Sequence, residues 1–285
     1  MSVVNKPLPR PPMRIKGAGR GKRSLAAQAD RHELYEEAVQ DPENEVAMVQ
    51  RNYKRIRKKS AMTLREDFCG TAVFSVQWAK TDPKRQAWGL DLDRPTLDWG
   101  IAQHVEAAGP EVASRVHLSC KNVLDGLPKK VDVCCAFNFS YWIFHQRVQV
   151  IEYFKAARRG LKKDGLFFLD AMGGTEVPQT DNNAREEEGF VYRWEHVSFD
   201  ALTNNLRCAI HFEFEDGSEI ENAFFYDWRL WSLPEVKEML LEAGFSAVRF
   251  LWEREDEDGD GTGRYFEPKR VDNEGLWWAY IVAEA

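Results

Sequence analysis

Apolar positions along this chain change period several times, and each change marks an element. A short apolar run over 61–64 ends at Arg65-Glu66-Asp67 and reads as a buried strand. Small residues Cys69 to Ala72 follow it, and 73–80 then carries apolar residues at helical spacing. Further strands are expected over 86–92, 116–118, 131–137, 166–170 and 277–283, with an amphipathic helix over 148–161. Upstream, 24–39 reads as helix, Asp41-Pro42 breaks it, and a second helix runs over 43–59. From Phe190 the pattern shortens to alternation over 190–199, 206–215 and 219–228, with turns at 200–205 and Asp216-Gly217, which reads as an antiparallel insertion. Trp231-Ser232-Leu233-Pro234 opens a helix to about Ala243. The polar stretch 181–188 reads as a mobile loop. The acidic, glycine-containing 253–263 reads as a solvated loop, since its acids miss EF-hand spacing.

Length and charge narrow this picture. The 285 residues suffice for one large α/β domain with an insertion or for two smaller domains. No apolar run approaches about 18 residues, so no membrane span is expected. Residues 1–31 lack an apolar stretch of the secretory kind. Their basic character would suit an organelle leader, but Pro7, Pro9, Pro11 and Pro12 oppose the amphipathic helix such a leader needs. Five cysteines without a C-x-x-C pair read as reduced thiols, and the expected location is the cytoplasm. The net charge of −7 divides into +7 over 1–31 and −14 over the rest. That division disfavours a uniformly basic nucleic-acid enzyme, and the cluster Arg51, Lys54, Arg55, Arg57, Lys58 and Lys59 reads as a solvated helix face.

Chemistry is expected where a strand ends in a tight turn of small residues, because a ligand can approach main chain there. Residues 66–72, Glu-Asp-Phe-Cys-Gly-Thr-Ala, make such a turn, and Asp91 closes the next strand nineteen residues beyond it. An acid at that distance suits ribose hydroxyls. Arg65, a charge ending an apolar strand, needs a partner such as Glu66, Asp67 or a ligand carboxylate. The run Asn138 to His145 follows the fourth strand of the parallel set and is the expected seat of acceptor chemistry, with Tyr141, Trp142 and His145 as candidates for orientation or proton acceptance. Dispersed histidines offer no metal spacing, so no metal is expected, and no Gly-x-Ser-x-Gly turn supports a hydrolase.

The turn resembles motif I of class I S-adenosylmethionine-dependent methyltransferases, acid-x-Gly-x-Gly-x-Gly, of which only the middle glycine, Gly70, is kept. The order Glu66, Gly89-Leu90-Asp91, Asn122-Val123-Leu124 and Asp132 to Asn138 is similar to that family's nucleoside-binding loops over about 120 residues. The resemblance implies an α/β fold with a Rossmann-like, mostly parallel seven-stranded sheet, helices on both faces, an antiparallel β insertion and an N-terminal helical lid. Its divisions would be a flexible basic arm (1–25), the lid (26–60), the cofactor-binding core (61–175), the insertion (176–230) and the completion of the core (231–285). It further implies S-adenosylmethionine as cofactor, S-adenosylhomocysteine as product, and in-line transfer of a methyl group to nitrogen or oxygen of a small-molecule acceptor. Arg51, Glu66, Cys69, Gly70, Thr71, Asp91, Leu92, Asn122, Val123 and Asn138 would hold the cofactor. By similarity to glycine N-methyltransferase-like enzymes, Tyr35 of a Leu34-Tyr35 pair would lie over the methyl group, joined by Tyr141 and His145 in catalysis. Trp142, Trp194 and Trp228 would bind the acceptor, by cation–π attraction if it is a cationic amine. Rival readings are an RNA or protein acceptor, a non-catalytic cofactor-binding protein, and an NAD-dependent oxidoreductase, the last opposed by Phe68 and Ala72 in the dinucleotide fingerprint.

Overall fold

The structure, a computed structural model, describes residues 10–17, 23–256, 261–273 and 275–285. In chain order the elements are β1 (Arg14–Lys16), α1 (Leu25–Gln28), α2 (Arg31–Val39), α3 (Pro42–Arg57), β2 (Thr63–Asp67), α4 (Val73–Lys80), β3 (Gln86–Asp91) and α5 (Arg94–Gly100). One π-helical turn, Ile101–Val105, continues α5. There follow α6 (Pro110–Ala113), β4 (Val116–Cys120), β5 (Val131–Ala136), α7 (Arg147–Arg159) and β6 (Leu161–Gly173). Four strands come next, β7 (Asn182–Glu187), β8 (Phe190–Asp200), β9 (Asn205–Glu213) and β10 (Glu219–Arg229). The chain closes with α8 (Leu233–Glu242), β11 (Ala247–Glu255), β12 (Gly261–Phe266) and β13 (Trp277–Glu284). These divide into two compact units, residues 1–40 with 177–230, and 41–176 with 231–285.

The larger unit is a sheet of order β12-β11-β13-β6-β5-β2-β3-β4. Strands β2 to β6 are mutually parallel, and β13 runs antiparallel between β6 and β11. Its strands are rich in fully buried apolar residues because helices cover both faces. Leu64, Val133, Cys135, Phe168 and Val282 pack under α3 and α4 through Val46, Val49, Phe74 and Trp78. On the opposite face Phe167 meets Tyr153 and Phe154 of α7 and Phe245 after α8. The chain leaves β2 toward β3 and β4 on one side and later fills β5 and β6 on the other. The carboxyl ends of β2 and β5 therefore flank the point where strand order reverses, the usual ligand crevice of such sheets.

Seven strands were expected here and eight are present. The additional strand, β12, pairs with β11 inside the stretch read as a solvated loop; residues 257–260 of that loop lie outside the described residues. Short alternation at Tyr265-Phe266 was hidden by the acidic run before it.

The smaller unit is an antiparallel sheet of order β1-β10-β9-β8-β7. Phe190, Ile210, Phe212 and Ile220 pack against Ala26 of α1 and Leu34 and Ala38 of α2. Strand β7 replaces the mobile loop expected over 181–188: it is a polar edge strand, paired from Asn182↔Glu195 to Glu187↔Phe190. It is largely exposed, so it has no apolar alternation to betray it. Within the basic arm, Arg14–Lys16 is a strand on β10, with Lys16 Nζ 2.5 Å from Glu221; residues 1–9 and 18–22 of the arm lie outside the described residues. The helix expected over 24–39 is two, parted at Ala29-Asp30, where the Asp30 carboxylate caps α2 by accepting the His32 amide. Residues 26–60, read as one lid, thus divide between the two units.

Candidate functional site

The turn after β2 is built from left-handed backbone. Phe68, Gly70 and Ala72 have φ of 58°, 52° and 61°. These are the three glycine positions of the motif, and here two of them carry a side chain in a conformation glycine adopts without strain. The Cys69 amide donates to Leu90 O at 3.1 Å and the Ala72 amide to Cys69 O at 2.7 Å, closing the turn. A Cβ built on Gly70 would meet nothing nearer than Thr96 Cγ2 at 4.0 Å, so the bare main chain faces open space.

Asp91 stands at the end of the neighbouring β3 and is held in place by main chain. Its Oδ2 accepts the Gly70 amide at 2.9 Å and its Oδ1 the Asp93 amide at 2.8 Å. Each oxygen keeps acceptor capacity for a hydroxyl. Leu92 beside it is 66% exposed, an apolar side chain with nothing over it. An open turn, a fixed carboxylate and an exposed apolar residue fit the ribose and adenine of a nucleoside. Asn122 caps the short helical turn Val123–Asp125 through the Leu124 amide, and Val123 is buried behind it.

Glu66, at the end of β2, is bound to the start of α4. It accepts the Ser75 amide at 3.0 Å and the Ser75 hydroxyl, and so supplies the first turn of α4 with the acceptor that its N-cap, Ala72, lacks. Burial pushes its carboxyl up to about 8, against the pull of the Ser75 bonds. Cys69 is buried, and desolvation holds its thiol well above the usual range, so it is neither nucleophile nor ligand in this state.

Beneath the turn lies a buried ion pair. Arg65 and Asp67 are both fully covered, with Nε–Oδ1 at 2.6 Å and Nη2–Oδ2 at 3.0 Å. Arg65 Nη2 also donates to Val123 O, and the Tyr153 hydroxyl donates to Asp67 Oδ2. Burial opposes the charge on Arg65, but Asp67 outweighs it and the guanidinium stays protonated. The partner expected for Arg65 is therefore Asp67, which ties β2 to the loop after β4 and to α7.

After β5 the chain turns through Asn138 and Phe139, at φ of 55° and 54°. Their amides donate to Asp170 at 2.6 and 2.8 Å. Phe139 stacks on Trp142 at 5.0 Å, and both Tyr141 and Trp142 are 0% exposed. Burial drives the Tyr141 phenol upward, so it is a wall of this corner and a poor base. His145 is half-buried at the end of the same loop, and the Trp231 indole donates to Phe144 O beside it.

Arg51, on α3, donates to Gly263 O at 2.6 Å. In the smaller unit Tyr35 packs on Phe224 at 4.8 Å, while Trp194, Tyr226 and Trp228 form a ring cluster with Tyr226 and Trp228 stacked at 4.3 Å. Trp228 is buried there and Trp194 half-buried.

Three residues that matter went unnamed in the sequence. Ser75 is an ordinary helix serine until Glu66 reaches it. Gly100 of α5 permits close approach, since a Cβ there would stand 2.1 Å from Thr71 O. Asp170 carried the available signal, an acid closing an apolar strand as Glu66 and Asp91 do.

No protein-family profile matches the chain, and no curated protein matches it. Solved structures do. An S-adenosylmethionine-dependent methyltransferase from Clostridium acetobutylicum is 14% identical, with a TM-score of 0.65 over 89% of this chain and 96% of that one. The amino pentose methyltransferase CalS10 from Micromonospora echinaspora, solved with S-adenosylmethionine bound, is 16% identical, with a TM-score of 0.63 over 89% and 95%. The sugar N-methyltransferase KedS8 from Streptoalloteichus is 16% identical, with a TM-score of 0.59 over 90% and 92%. The fold of this chain is that of the class I methyltransferases.

Proposed function

We propose that this protein transfers a methyl group from S-adenosylmethionine to a nitrogen of a small-molecule acceptor. The observation that carries the reading is the Asp91 carboxylate, fixed by the Gly70 and Asp93 amides at the mouth of a turn with bare main chain. A fold shared with methyltransferases would not suffice, because one fold hosts many chemistries. The site adds a carboxylate where ribose hydroxyls need an acceptor.

In this reading Asp91 holds the ribose, Leu92, Asn122 and Val123 border the adenine, and Glu66, Cys69, Gly70, Thr71 and Asn138 shape the amino-acid end. Arg51 reaches the cofactor carboxylate by exchanging its bond to Gly263 O. The cofactor supplies an electrophilic methyl carbon on a sulfonium. The protein then has to orient the acceptor lone pair and keep water out. A neutral amine needs no base, which accords with the buried, protonated Tyr141. A protonated amine or a hydroxyl would need one, and His145 is the titratable side chain left on that loop. On the same loop Trp142 stands beside Tyr141 as part of the acceptor-side wall. A nitrogen acceptor is further supported by the amino-sugar and sugar-nitrogen substrates named for CalS10 and KedS8.

Calorimetric titration with S-adenosylhomocysteine, on wild type and Asp91→Ala, tests this. Micromolar binding that weakens by about a hundredfold in the variant is expected, since two hydroxyl bonds to a charged acceptor are lost and the Gly70 amide is left without its partner. A folded wild-type protein that binds neither S-adenosylmethionine nor its product would overturn the proposal.

A further inference from the structure

Two successive residues with side chains, Asn138 and Phe139, sit in the left-handed region just after β5, a conformation unfavourable for residues that carry a Cβ. Something must hold them there. The Ser140 amide and hydroxyl both donate to Phe137 O and close a turn around the pair, and the Trp142 amide donates to Phe139 O at 2.8 Å, but these bonds leave the amides of the pair itself to be satisfied. Those two amides go to one side chain on the adjacent strand. Asp170 of β6 takes the Asn138 amide on Oδ2 at 2.6 Å and the Phe139 amide on Oδ1 at 2.8 Å, one carboxylate gripping both. Asp170 is 8% exposed, and among the described residues no cation lies in salt-bridge reach of it.

We infer that Asp170 is a positioning residue: its carboxylate clamps the Asn138–Phe139 corner in the conformation that presents the Asn138 side of the cofactor site, and so sets cofactor affinity without touching the cofactor. The inference rests on the reading of that corner as part of the site. A carboxylate with two ionic-acceptor bonds grips more strongly than a carboxylic acid, which spends one oxygen on its own proton.

This makes the clamp sensitive to pH. Burial pushes Asp170 up to about 7, against the opposing effect of the two amide bonds. The groups that face it act the same way or are neutral. Tyr280 is its register partner on β13, Glu45 approaches from α3, and Tyr141 comes from the loop after β5; burial raises all three. Glu66 also lies near Glu45 and titrates higher, at about 8. The grip should therefore tighten as pH rises through about 7.

The test compares wild type with Asp170→Asn, by calorimetric titration of S-adenosylhomocysteine between pH 5.5 and 8.5. An asparagine offers one acceptor and turns an NH2 toward the second amide. About tenfold weaker binding at pH 8 is expected, corresponding to one charge-assisted bond. Wild-type affinity should rise through pH 7, and the variant should lack that step while keeping any change near pH 8 due to Glu66. A folded variant with wild-type affinity and the same pH profile overturns the inference, as does one whose lost affinity simply follows its lost stability in urea across that pH range. If the variant does not fold, amide hydrogen exchange in wild type decides. Protection of Asn138 and Phe139 that grows through pH 7, relative to other buried amides, supports the clamp; protection that stays constant overturns it. A wild type that binds no S-adenosylhomocysteine at any pH refutes the cofactor reading instead, and the exchange experiment still judges Asp170.

Discussion

At the level of single residues, this site carries side chains where its fold ordinarily carries glycine, and the two substituted positions are reconciled differently. Phe68 offsets its left-handed backbone by packing, with its ring 5.4 Å from Tyr153 and 6.2 Å from Phe144. Ala72 has only a methyl group to bury, and it leaves α4 without a side-chain cap, a role that falls to Glu66. Substitution should separate the two cases. Phe68→Gly is expected to lower stability by about 3 kcal/mol, because the lost ring outweighs the relieved strain of about 1–2 kcal/mol. Ala72→Gly is expected to fall within about 1 kcal/mol of wild type, strain relief and a lost methyl nearly cancelling. Urea unfolding midpoints of the two variants would measure this, and a Phe68→Gly protein as stable as wild type would mean that the ring contributes little. The left-handed backbone itself was not legible in the sequence, because Phe and Ala are the residues that conceal it. What was legible was the charge: an arginine ending an apolar strand had to have a partner, and Asp67 proved to be it.

At the level of elements, periodicity located every strand of the parallel set to within a few residues, since strands covered on both faces are short apolar runs between turn signals. It failed at the sheet edges. Strand β7 is polar and exposed, and β12 follows an acidic run, so neither has a buried face to print a pattern. Helix α5 shows a different limit. Its start is set locally, with Asp93 accepting the Thr96 amide and Pro95 in the first turn, but its distance from the cofactor turn has no local signal. That distance is set by Gly100, where any Cβ would meet Thr71 O at 2.1 Å and Thr71 Cα at 2.8 Å. Backbone atoms cannot swing aside as a flexible side chain can. Gly100→Ala should therefore force α5 and its π-helical continuation away from the turn, at about 1–3 kcal/mol of stability, and displace Thr71. Affinity for S-adenosylhomocysteine should fall with it. A variant with unchanged melting and affinity would show that α5 is loosely packed and that the turn stands without it.

Over the whole molecule, the larger unit gathers carboxyl groups whose burial opposes ionisation, and this sets how stability should respond to pH. Glu45 is held well above the ordinary carboxylate range, Glu66 rises to about 8 and Asp170 to about 7, in each case chiefly by desolvation. In the unfolded chain the same groups ionise near pH 4. Between about pH 4 and 8 the folded protein therefore binds more protons than the unfolded one, and stability must fall as pH rises through that window. Other carboxylates act in the opposite sense at the acid end. Asp132 is held low, despite burial, by the Lys162 ammonium and the Met62 and Thr63 amides, and Glu267 by Arg55 and Arg249; their contribution is present above the unfolded value and disappears as pH drops through the folded one. The two groups of residues therefore act in opposite senses, the buried carboxyls favouring lower pH and the paired carboxylates resisting acid. Glu66→Gln should remove one of the opposing ionisations. Its urea midpoint, compared with wild type, is expected to improve steadily from about pH 4.5 to about 8 and to level off above that. Parallel pH curves for the two would mean that Glu66 stays ionised in the fold and that its bonds to Ser75, not its burial, govern it. A variant that gains steadily on wild type as pH rises would show that the fold accepts an unfavourable ionisation at the carboxyl end of β2.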